Sequence, residues 1–155
     1  MGRPDKIHHV RDQEYFAWRF RSPLANYRFF YWQDTALDGF LVMAKRLHSI
    51  APASIVEWEA VNEEILRDLL LAAIGEAGIR GIAIWTATLP KSIVDLVDHL
   101  GFTALDDRSA DTKYRPSFLA TCVNKAMADT QWTLAGRSLA DLNNWDLRMI
   151  NSDSY

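Results

Sequence analysis

A single cysteine, Cys122, in 155 residues leaves no partner for an intramolecular disulfide and fits a reducing, cytoplasmic setting. No apolar run approaches the ~20 residues that a membrane-spanning helix needs. Met1 to Val10 carries no apolar region of the signal-peptide kind. Basic charge is not in excess. The formal net charge of −3 gives no electrostatic reason to expect a nucleic-acid partner. Gly-x-Ser-x-Gly, the nucleophile elbow, is absent. The four histidines, His8, His9, His48 and His99, lack the spacing of a zinc site with each other or with Cys122, so no metal is expected. Asp106, Asp107 and Asp111 are placed for a divalent cation, but Arg108 between them and the missing glycine pattern favour an ordinary polar loop. Cys122 lies in an apolar stretch, where an inert buried thiol is the common outcome.

What is present is an ordinary globular composition, 49% apolar and 24% charged. A chain of this length forms one domain and buries roughly 70% of its unfolded surface without staples. Residues 1–11 and 151–155 read as tails. Charge is uneven. Met1 to Arg28 carries Arg3, Lys6, Arg11, Arg19, Arg21 and Arg28 against Asp5, Asp12 and Glu14, whereas Glu57 to Glu76 carries six acids against Arg67.

Asp12 is a helix N-cap, followed at helical spacing by Tyr15, Phe16, Arg19 and Phe20, with Pro23 as the stop. The aromatic run Tyr27 to Trp32 predicts a strand buried on both faces. Asp38-Gly39 is a hairpin-turn signal, and Phe40 to Leu47 a second strand. Ser54 to Ala60 alternates as a third, with Val56 and Trp58 on one face and Ile55, Glu57 and Glu59 on the other. Asn62 caps a helix striped by Ile65, Leu66, Leu69, Leu70, Ala73 and Ile74, with Gly78 as its stop. Gly81 to Ala87 predicts a short strand. Pro90 opens a helix with Ile93, Val94, Val97 and Leu100 on its face and Gly101 at its end. Beyond a polar loop, Phe118 to Val123 and Trp145 to Ile150 predict strands, with helical turns over Ala126 to Ala135 and Ser138 to Asn143. The expected fold is α/β (α+β), a mixed, mostly antiparallel central sheet flanked by helices.

This order resembles the GNAT superfamily of N-acetyltransferases over Asp12 to Ile150, without that family's first strand and helix. Val97-Asp98-His99-Leu100-Gly101-Phe102 is similar to its helix-ending Tyr-x-x-x-Gly-Phe. Glu14-Tyr15-Phe16-Ala17-Trp18-Arg19-Phe20, followed by Pro23 and Tyr27, resembles the Tyr-Leu-x-Trp-Arg opening of the C-terminal half of larger bacterial acetyltransferase-like proteins. Trp145-Asp146-Leu147 with Asn151-Ser152-Asp153 resembles the close of those halves. The resemblance implies acetyl-CoA as cofactor and a small amine as acceptor. It also implies a pyrophosphate loop at Val61, Asn62, Glu63 and Glu64, and a general base on the third strand, Glu57 or Glu59.

The residues depart from that pattern where the chemistry needs them. A pyrophosphate loop depends on free N–H groups, a positive helix end and glycines that let the backbone close on the phosphate. Here the stretch Ala60 to Ile65 has no glycine and places Glu63 and Glu64 in the first turn, where their charge repels phosphate. The family's general acid falls on Val97, and its neighbouring asparagine on Pro90. Glu57 and Glu59 read either as a raised-pKa pair or as a solvated face, the usual state of such residues. Beside Glu63 and Glu64 they would also attract a cationic partner or amine.

The six tryptophans offer stacking surfaces. Trp58 and Trp85 read as core and Trp132 as a contact surface. Three functions follow as expectations. One is a degenerate acyltransferase-like half that completes a substrate cleft or an interface, as a homodimer or with a partner domain. Another is an active acyl-CoA-dependent N-acyltransferase with an atypical loop. The third is a ligand- or sugar-binding module.

Overall fold

In a computed structural model, the structure describes residues 5–8, 10–76, 78–86, 88–103, 133–139 and 141–148. The expected strand at Phe118 to Val123, Cys122, Trp132 and the Asp106 to Asp111 loop lie outside these residues. The fold is α+β, with a mixed four-stranded sheet and three helices.

Helix α1 (Gln13–Arg19) starts at Asp12, whose carboxylate accepts the Tyr15 N–H at 2.8 Å. Strands β1 (Ala25–Gln33), β2 (Leu37–Arg46) and β3 (Ala53–Ala60) follow as an antiparallel meander. Helix α2 (Glu63–Ile74) crosses over to β4 (Ile82–Ile84), which pairs parallel to β3. Helix α3 (Lys91–His99) comes next, with Pro90 at its N-cap and Gly101 beyond its end at φ +89°. The sheet order is β1-β2-β3-β4.

Helices α2 and α3 cover one face of the sheet. Ile65, Leu66, Leu69, Leu70, Ile93 and Val97 pack there on Leu41, Met43, Ile55 and Trp58. Helix α1 covers the other face, where Phe16 meets Phe40 edge-on and Phe20 meets Tyr27.

Several expectations change. Asp38-Gly39 is not the hairpin turn; the β1–β2 connection is Asp34–Ala36, and Gly39 lies inside β2. A Cβ at Gly39 would sit 2.7 Å from Ile65 Cγ2 and 3.0 Å from Leu69 Cδ1, so this glycine admits α2 against the sheet. Strand β1 is not buried on both faces. Among the described residues it is an edge strand, with Phe29 43% and Tyr31 63% exposed.

Helix α2 stops at Ile74, before Gly78, because Gly75 already forms its C-cap. The strand expected over Gly81 to Ala87 is a ladder of three residues. Within Ala126 to Ala135, the described end is not helical. Thr133–Leu134 (β5) and Arg137–Ser138 (β6) form a hairpin, turned by Ala135 and Gly136, both at positive φ. Leu142–Asn144 is a single 3-10 turn. Of the strand expected over Trp145 to Ile150, residues 149–150 lie outside the described residues; among those described, Trp145 makes one isolated parallel bridge to Ile7 and no ladder.

Candidate functional site

The alternation expected along β3 is broken by a bulge. Val42 faces Glu57 and Met43 faces Ile55, which leaves Val56 unpaired. The extra residue rotates the pattern. Ile55 and Trp58 enter the core under α2, and Val56 joins the cluster on the α1 side. The face assignment of Val56 with Trp58, and of Ile55 with Glu57, is therefore corrected. An even alternation holds only while every residue has an opposite number.

The bulge delivers Glu57 into the structure. Its side chain is 1% exposed, so the solvated reading does not hold for it. Arg11, immediately before α1, places Nε 3.2 Å from Glu57 Oε2. Arg148 places Nε 3.8 Å from Glu57 Oε1 and lays its guanidinium 4.0 Å over the Trp58 ring. Arg148 Nη1 also donates to Asp146 Oδ1 at 2.6 Å. The Trp58 N–H donates to Glu57 Oε1 at 3.1 Å. Two guanidinium groups and two carboxylates thus share one cluster. Burial pushes the Glu57 carboxyl above the ordinary glutamate value, against the opposing pull of Arg11 and Arg148. Tyr15 is raised too, first by burial and then by the Glu57 charge.

Glu59, the other candidate base, pairs with Phe40 and is half-buried. It is not part of this cluster: Glu57 and Glu59 lie on one strand in different surroundings. The candidate pyrophosphate residues lie just beyond. Val61, Asn62, Glu63 and Glu64 are all exposed. Asn62 caps α2, its Oδ1 accepting the Ile65 N–H at 2.9 Å, and Glu63 and Glu64 occupy the first turn.

Past Ile55 and Ile84 the parallel pairing of β3 with β4 ends, while β3 runs on to Ala60. Val61 N–H donates to Asp38 O on the β2 side. By strand alternation the N–H groups of Trp58 and Ala60 point the other way, toward the side on which β4 pairs. The Glu57 carboxylate meets the first of these.

Sequence reasoning did not single out Arg11, Asp146 or Arg148 as site residues. The one signal was charge placement, a basic N-terminal stretch and an acidic segment starting at Glu57. The fold joins them at Arg11–Glu57 and again at Arg28–Glu76, 3.1 Å. Among the described residues no group of His, Cys, Asp and Glu is arranged to hold a metal ion, and no helix is long and apolar enough to cross a membrane. No protein family, curated protein or solved structure matches the chain.

Proposed function

We propose that this chain is a GNAT-like acyltransferase-type domain, degenerate at the acetyl-CoA loop, that serves as a substrate-cleft or interaction half. The observation that carries this reading is the N-terminus of α2. A phosphate held there would need exposed N–H groups and a close backbone. Asn62 Oδ1 already takes the Ile65 N–H, and the Glu63 and Glu64 carboxylates stand in the first turn. The residues at Val61 to Glu64 do not fit a pyrophosphate, and no catalytic step is derived through it. Strand β1 supports an interaction role. Its outer side has no strand neighbour among the described residues, and Phe29 and Tyr31 are exposed on it, the kind of edge that pairs with a second copy or a partner domain.

The second reading is an active N-acyltransferase with Glu57 as general base toward a small amine. One observation favours it. Burial lifts the Glu57 carboxyl above the ordinary glutamate value, the direction that strengthens a carboxylate as a base. Against it, both oxygens of that carboxylate already face partners, Arg11, Arg148 and the Trp58 N–H.

Calorimetric titration of the purified chain with acetyl-CoA separates the readings. The degenerate reading expects no heat of binding at millimolar cofactor. Micromolar binding would overturn it and send the search to amine acceptors.

A further inference from the structure

Glu57, Asp146 and Arg148, the charged residues buried among those described, all belong to one cluster, at the place where both ends of the described chain reach the sheet. We propose that residues 6–8, 10–11 and 143–148 form a strap that closes over the side of β3 that β4 leaves, opens as a unit separate from the sheet, and is latched at Glu57 by Arg11 and Arg148.

The two halves of the strap hold each other. Ile7 N donates to Asn144 O at 2.7 Å, Asp146 N donates to Ile7 O at 2.8 Å, and Lys6 Nζ donates to Asn143 O. Among the described residues they meet through one bridge rather than a strand ladder. The C-terminal half is anchored to the loop after β4, where Thr88 Oγ1 donates to Leu147 O at 3.0 Å and accepts Leu147 N–H at 3.1 Å. From there Asp146 to Arg148 spans the gap to β3 and ends with the guanidinium on Trp58. The N-terminal half runs through Arg11 directly into α1.

Glu57 is the common post. It receives Arg11 from one half and Arg148 from the other, with Asp146 balancing the second cation and Tyr15 facing the carboxylate from α1. Withdrawing either half leaves a charge of the cluster without its partner, which couples the opening of the two halves. Beneath it lies the stretch of β3 from Val56 to Ala60, which among the described residues has no strand neighbour on its β4 side. The strap does not depend on whether acyl-CoA binds.

Native-state hydrogen exchange on the whole chain tests this. The strap amides of Ile7, Asp146 and Leu147 should exchange roughly tenfold or more faster than the β2 amides of Leu41 and Met43, with a shallower denaturant dependence. Glu57→Gln should speed the strap amides further and leave the β2 amides unchanged. Equal rates and equal denaturant slopes for strap and β2 in the unaltered protein would overturn the separate unit, even if the variant does not fold. Strap amides unaffected in a folded Glu57→Gln protein would overturn the latch.

Discussion

Glu57 Oε2 lies 3.2 Å from Arg11 Nε, in a pair whose carboxylate is 1% exposed and whose other oxygen faces Arg148. An exposed pair of this kind contributes little to stability. A buried one behaves differently, because removing one partner leaves the other charged and dehydrated. Two arginines depend on this one carboxylate, so it is the most sensitive polar position on β3.

Glu57→Ala is expected to cost about 3–5 kcal/mol of unfolding free energy, as for other broken buried pairs. Glu59→Ala, two residues on and half-buried, should cost less than about 1 kcal/mol. Urea denaturation of the two variants checks this. Equal losses would mean that the cluster confers nothing particular on Glu57.

The pH dependence has a definite sign. Burial raises Glu57 in the folded protein, and the two guanidinium groups do not fully offset it. The folded state therefore holds this proton at higher pH than the unfolded chain does. Its contribution to stability is complete below the unfolded carboxylate value and is lost as pH rises through the folded one. From the ordinary glutamate range, about pH 4, upward, the unaltered protein should lose stability with rising pH relative to Glu57→Gln, which has no proton to release. Parallel stability curves for the two proteins would contradict this.

Gly39→Ala introduces a Cβ 2.7 Å from Ile65 Cγ2 and 3.2 Å from the Glu59 carbonyl oxygen. The side-chain tip can yield, but the backbone oxygen cannot easily do so. The expected cost is about 1–3 kcal/mol. Ile65→Ala removes the Cγ2 methyl, so in thermal melts the double variant should lose less than the sum of the two single variants. Fully additive losses would place the strain at the backbone contact.

Asn62→Ala removes the acceptor of the Ile65 N–H and should destabilise by about 1 kcal/mol. Asn62→Asp keeps an acceptor there and should be close to neutral, as urea midpoints would reveal.

Glu63→Gly combined with Glu64→Gly removes both carboxylates from the first turn of α2. If charge there is what disfavours phosphate, this variant should bind CoA more tightly than the parent in calorimetry. No gain at all would remove the electrostatic part of the proposal.

Much of the fold is legible along the chain because local signals are strong there. Asp12 and Asn62 are caps in sequence and in structure, and the stripe from Ile65 to Ala73 is the buried face of α2. The misreadings have one physical source. Asp38-Gly39 has the composition of a turn, but its glycine is required by α2 packing across β2. Ala135-Gly136 makes the hairpin turn with a weaker signal, since alanine rarely adopts positive φ. The run Tyr27 to Trp32 is aromatic enough for a sheet interior but lies at the edge of the sheet formed by the described residues.

By itself the sequence determined the helices, the order of the first four strands and the acidic, glycine-free entry to α2, because caps, periodicity and residue type act over a few neighbours. The tertiary structure alone decided that Glu57 is buried. A bulge at Val56 turned the strand, and residues from both ends of the described chain supplied the arginines that face it. A bulge depends on the pairing strand and a buried charge on distant partners, and neither is encoded within the eight residues of β3.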